Sequence, residues 1–255
     1  MRGLYLISIL IVLQSCYREK IIYNADSNHE LLLPTILRIN DKECVYDYTA
    51  NSLRFPINND IINDFSPLIE FQEYSTVYFE GEELINNSIN NFGNIEINKE
   101  YDVKVFTNGE TEDLLLTFTN LPIVQIITPN IIFDEPKTLA KIIVNYKEIN
   151  KIADTYFIGI EYRGQTSQYY QKKSFGFSLK GSISFEDDVS HSLFDMQKNK
   201  DWILDAMWID KARLRNKTSF ELWNKFDGIN HHGIDSEFVE LYINNEHQGL
   251  YCLNE

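Results

Sequence analysis

Between Leu31 and Asn120, apolar residues come in runs too short for a helix, each closed by turn residues. Thr35–Ile39 is followed by Asp41-Lys42-Glu43, Asn58-Asn59-Asp60 precedes Leu68–Phe71, and Thr76–Phe79 ends at Gly81. Tyr101-Asp102-Val103-Lys104-Val105 alternates with period two, which puts every second side chain on one face of a strand. Asn108-Gly109, ahead of Leu114–Phe118, supplies two residues that tolerate the positive φ of a type I′ hairpin. Strands at this spacing predict an all-β sandwich over residues 31–121, with Leu121-Pro122 as its boundary. It shows no His cluster, Gly-rich phosphate loop or convergent carboxylate pair, so spacing or binding is its expected role. By pattern it resembles immunoglobulin- or cadherin-like modules.

Composition narrows the function classes. A net charge of −15 over 255 residues argues against nucleic-acid binding, which needs a basic surface to displace counterions from phosphates. Three Cys exclude a disulfide-stapled miniprotein. Cys44 and Cys252 stand far apart, with no CxxC and no adjacent His, and read as inert core residues.

Residues 1–15 read as an address. Arg2 gives a positive start, and Leu4–Leu13 is an apolar run of about ten residues, short of the roughly 20 that span a bilayer as a helix. Leu13-Gln14-Ser15-Cys16 looks like a bacterial lipobox, which implies lipidation at Cys16, a membrane anchor and a cell-envelope location. An ordinary signal peptide, or a buried first strand, is the alternative. Polar residues 16–30 read as a tether.

Residues 122–255 change character. Ile123–Ile127, Ala140–Val144, Phe157–Arg163, Phe175–Leu179 and Asp201–Leu204 read as strands. Asp210 reads as a helix N-cap, followed by a helix over Ala212–Phe226 that Asp227-Gly228 closes. Phe238–Ile243 then turns at Asn244-Asn245 and returns as Gly249–Leu253. Arg163, Lys172, Lys173 and Lys180 lie in a stretch without an acid. Such an island suits a phosphate, with Gly164 admitting close backbone approach and Thr166 and Ser167 offering hydroxyls. A solvated hairpin edged with Lys is the alternative. Lys211, Arg213, Arg215 and Lys217 oppose the helix dipole; Arg215-Asn216 could reach a phosphate or a neighbouring acid, and a solvated face in an acidic protein is the alternative. His231-His232 and His247 read as loop residues rather than a metal site.

Four segments in order carry a resemblance. Arg163-Gly164-Gln165-Thr166-Ser167 with Gln171-Lys172-Lys173-Ser174-Phe175 is similar to the RGxxS…PKKSY signature of the CotH kinase family, the spore-coat-protein-H-like atypical kinases. Trp202-Ile203-Leu204 before Leu214-Arg215-Asn216-Lys217 resembles its W-x-L…R-N-K segment. Phe238–Asn244 through Gly249-Leu250-Tyr251-x-Leu253-x-Glu255 resembles its FVELYLNG…GLYLLxE hairpin. Gln171 replaces the usual Pro, and Asn245 the usual Gly.

The resemblance implies an α+β chain, the sandwich being followed over 122–255 by the N-terminal lobe of a kinase-like fold. It implies ATP with Mg²⁺ or Mn²⁺ for the intact family and phosphoryl transfer to protein hydroxyls. It places Arg163, Gly164, Ser167, Lys172, Lys173, Arg215 and Glu255 around the nucleotide. The family's catalytic and metal-binding aspartates lie downstream of the GLYxLxE motif, and this sequence stops at Glu255. Asp201, Asp205 and Asp210 precede that motif and read as a turn, a strand edge and a helix cap. The expectation is a truncated kinase-like domain with no catalytic or metal-binding residue of its own, and therefore no activity. A non-catalytic surface binding or adhesion protein is the alternative.

Overall fold

In the computed structural model the period-two segments become strands, and the alternation continues further along the chain than the sandwich. The structure describes residues 36–58, 61–182, 187–226 and 233–255, with the backbone of two paired strands, Ile22–Tyr23 and Leu31–Leu32. The leader, Cys16, most of the tether, His231-His232 and Asp227-Gly228 lie outside the described residues.

The first region is built from three sheets. A six-stranded sheet runs in the order Glu82–Glu83, Ser75–Phe79, Glu100–Thr107, Glu110–Thr119, Ser52–Pro56, Val45–Asp47. A four-stranded sheet contains Leu68–Glu70 and Arg38–Ile39, and Gly93–Glu96 pairs with Ile61–Phe65. They share one core, where Leu37, Ile39, Phe55, Ile69, Val77, Val103, Leu116 and Phe118 meet. The hairpin at Asn108-Gly109 forms as expected, both residues taking positive φ, 51° and 82°. Glu110–Thr119 also pairs in parallel with Ser52–Pro56, a long-range contact that no local pattern announces.

The second region is a closed seven-stranded barrel. Its strands run in the order Ile123–Ile127, Thr138–Asn145, Asp154–Arg163, Ser174–Lys180, Asp201–Asp205, Glu246–Asn254, Ser236–Ile243. Parallel pairing of Ile123–Ile126 with Glu240–Ile243 closes the ring. Each strand sends alternate residues inward: Val124 and Ile126, Ile158 and Ile160, Phe175, Phe177 and Leu179, Trp202 and Leu204, Val239 and Leu241. The α+β expectation is corrected in its proportions. Among the described residues there is one α-helix, Arg215–Asn224, so the molecule is mostly β. The helix starts later than Ala212 because Arg213 takes φ 56°, which turns the chain before the first helical residue.

The two regions meet through polar groups taken out of water together. The Glu240 side chain is 7% exposed and accepts Arg54 Nη1 at both oxygens, 3.0 and 2.9 Å. The Thr119 hydroxyl donates to Oε1 at 2.7 Å, and His247 Nε2 stands 3.3 Å from Oε2. Burial by itself would raise the Glu240 pKa, but the His247 hydrogen bond, the Arg54 charge and the Thr119 hydroxyl outweigh it and hold it below the ordinary value. Nearby, buried Lys42 donates to the carbonyls of Tyr146 and Glu148 at 2.8 and 2.7 Å. Burial brings its pKa down to about 8 against the pull of Glu148. Val45, Ile123 and Tyr242 form a small apolar cluster at the same junction.

Arg54→Met strands the Glu240 carboxylate and is expected to cost roughly 3 kcal/mol, the low end for a buried pair because Arg54 keeps some solvent contact. The shift of the urea midpoint reads it. Because the folded carboxyl has the lower pKa, its stabilisation is present above the ordinary carboxylate range and fades as pH falls through the folded value. The stability gap between wild type and Glu240→Gln should therefore shrink as pH falls below the ordinary carboxylate range.

Candidate functional site

The segment between Arg163 and Ser174 folds into a tight loop whose cations are mostly fastened to backbone. Gly164 takes φ 87°, and a Cβ there would stand 2.1 Å from Ser167 Oγ. That close approach exists because the Ser167 hydroxyl donates to the Arg163 carbonyl at 2.9 Å, while Gln168 Nε2 donates to the Gly164 carbonyl at 2.6 Å. A 3₁₀ turn over Thr166–Tyr169 follows. Lys173 Nζ reaches back to the carbonyls of Gln168 and Tyr170, so its charge braces the loop from within. The Tyr251 hydroxyl donates to the Lys173 carbonyl at 2.9 Å and ties the loop to the last hairpin.

Lys172 turns the other way. Its ammonium donates to the Leu250 carbonyl and lies 4.2 Å from the centre of the Tyr251 ring. Burial lowers its pKa to about 8, Arg213 adds to that, and Asp205 opposes it. Arg163 is exposed at the loop's start, on the outside of the barrel.

Of the residues expected around a nucleotide, Arg163, Gly164, Ser167, Lys172 and Lys173 therefore share one loop. Arg215 begins the helix, its Nε 3.4 Å from Asp210. Asp210 does not cap by the expected geometry; it reaches five residues ahead to accept the Arg215 N–H at 2.8 Å and that of Ala212 at 3.1 Å. Lys217 donates to the Ser236 carbonyl and pairs with Glu221 at 3.2 Å. Neighbouring backbone and acids thus occupy Arg215 and Lys217. Asn216 Nδ2, 3.4 Å from Asp205, links the helix start to the surroundings of Lys172. Glu255 stands apart at the other end of the last strand, where its Oε1 accepts the Asp235 N–H at 3.4 Å. Burial raises its pKa.

Sequence reasoning missed a second group on the barrel's outer face. Lys137 Nζ donates to Ser178 Oγ and stands 3.6 Å from Glu161 and 4.0 Å from Asp201, and Ser178 donates to Asp201. The signal was the alternation itself, since Ser178 sits between inward Phe177 and Leu179. Lys137 comes from a distant loop, and nothing local tied it to Ser178. Among the described residues no group of three or more His, Cys, Asp or Glu side chains could hold a metal ion.

The exposed Arg163 guanidinium and the tight Gly164 turn stand side by side at the start of the loop, and no carboxylates are gathered for a divalent metal among the described residues. A cleft of about 480 Å³ opens beside Lys172, between this loop, the loop after Ile127 and the hairpin turn at Asn244.

Gly164→Ala forces an L side chain into left-handed backbone against Ser167 and is expected to cost about 1–3 kcal/mol. Faster amide exchange across residues 164–173 would locate the damage; unchanged exchange would show that the loop does not depend on this turn.

The curated proteins contain no match to this chain. Residues 160–255 match the family model described as CotH kinase protein, so the last four strands of the barrel in chain order, together with the helix, are what is similar to that family.

Proposed function

We propose that this chain is a cell-envelope lipoprotein, anchored through Cys16, that presents a nucleotide-binding kinase-like barrel behind a β sandwich. The supporting observation is the CotH match over 160–255 coinciding with the cationic loop at 163–173. Arg163 is the side chain that meets phosphate, as a planar bidentate donor, and Gly164 lets backbone come close. Ser167 and Lys173 are positioning residues that hold the loop's shape. The substrate class is a nucleoside triphosphate, with a protein hydroxyl as acceptor in the intact family. Carboxylates that would carry a metal are not gathered among the described residues, so the reading for these 255 residues is binding without turnover.

A purified chain should show a rise in melting temperature with ATP. Arg163→Gln should weaken that binding by about 10- to 100-fold, the cost of one charge-assisted hydrogen bond or two. No shift with ATP would overturn the nucleotide reading. Transfer of labelled phosphate by the purified chain would overturn the claim of no turnover. Labelling with a radioactive fatty acid in cells, lost in Cys16→Ser, tests the anchor.

A second reading, surface binding by the sandwich, draws support from Tyr74 at 96%, Ile89 at 69% and Ile85 at 66% exposure on the successive turns between residues 72 and 89. It requires that changes at these three positions abolish function while Arg163→Gln leaves it intact.

A further inference from the structure

The cleft at the barrel mouth has a composition that the nucleotide reading does not use. Three rings stand in its lining, Tyr162 and Phe175 with centres 5.6 Å apart and Tyr251 6.1 Å from Phe175, among polar groups that include Lys173 and the Glu246 carboxylate. Exposed Asn130 and Gln171 line it with hydrogen-bonding amides. Into this space comes the Lys172 ammonium, which forms no ion pair with any carboxylate among the described residues. One of its N–H groups goes to the Leu250 carbonyl and its underside rests on the Tyr251 ring, which leaves donors for a ligand.

A half-buried cation with no carboxylate in ion-pair contact, Asp205 acting on it only from further away, is costly unless an anion joins it, and low local dielectric strengthens that attraction. Ring surface beside convergent polar groups suits a small polar molecule that carries a ring, and about 480 Å³ is within the size range of a small-molecule site. Of the residues expected around a nucleotide, Lys172 and Lys173 line this cleft, whereas Arg163, Gly164, Ser167, Arg215 and Glu255 do not. We propose that the barrel-mouth cleft is a separate binding site for a small organic anion, a carboxylate or phosphate headgroup on a ring body, with the headgroup on Lys172 and the ring against Tyr162 and Phe175.

Calorimetric titration of the full chain with phenyl phosphate, benzoate, glucuronate and inorganic phosphate tests this. At least one ring-bearing anion should bind at least tenfold more tightly than inorganic phosphate, and whichever binds identifies the headgroup and the ring chemistry. Lys172→Gln should weaken it at least tenfold. Asn130→Trp, an exposed change that crowds the mouth, should also block it and guards against misfolding of the first variant. Saturating ATP should leave the anion bound, and Arg163→Gln should not change its affinity. Failure of every ring-bearing probe, equal binding of inorganic phosphate, insensitivity to both cleft variants, or displacement by ATP would overturn the proposal. A chain that binds phenyl phosphate but not ATP would instead sink the nucleotide reading and leave this site standing.

Discussion

Closure of the barrel is the constraint on which the rest depends. Ile123–Ile127 pairs antiparallel with Thr138–Asn145 on one side and parallel with Glu240–Ile243 on the other. Without that strand the ring has two open edges, each a row of unpaired N–H and C=O groups. With it, the inward residues form one apolar interior in which Trp202, Phe177 and Tyr251 are almost wholly shielded from solvent. The family match begins at residue 160, so the strand that completes the ring lies before the recognisable part. The matched hairpin depends on a segment that carries none of the family's motifs.

The same strand connects the two regions. Its residues are buried on both faces: Val124 and Ile126 point into the barrel, whereas Ile123 packs outward with Val45 of the sandwich and with Tyr242. Beside it, Glu240 takes Arg54 and Thr119 from the sandwich as well as His247 from its own barrel, Lys42 takes carbonyls from the opposite region, and burying either unpaired would be expensive. Asn245 belongs to this junction. It sits at φ 63°, where Gly would be favoured, and its carbonyl accepts the Tyr48 N–H at 3.0 Å. Asn tolerates that backbone, so the departure from the family's Gly keeps the turn.

The cationic loop shows how a charge count and a charge's use diverge. Arg163, Lys172 and Lys173 look equivalent along the chain. In three dimensions Lys173 braces its own loop at the edge of the cleft, Lys172 reaches into that cleft over the Tyr251 ring, and of the three only Arg163 projects outward. Glu255 lies away from the loop, with four residues of extended strand between it and Leu250. The helix cations likewise find acids and carbonyls close by rather than a common ligand.

Much was legible in the sequence because strands and tight turns are local. Period-two alternation named the inward faces, Asn108-Gly109 set its hairpin, and four short motifs pointed to the family that residues 160–255 resemble. Tertiary structure decided what local pattern cannot encode. It decided that Ile123–Ile127 closes a barrel, that Lys137 joins Ser178 and Asp201, and that Lys172 makes no ion-pair contact among the described residues. The reason is the same in each case. Parallel pairing, ion pairing and desolvation depend on which distant segments come together, and that is settled by burying the whole apolar interior at once.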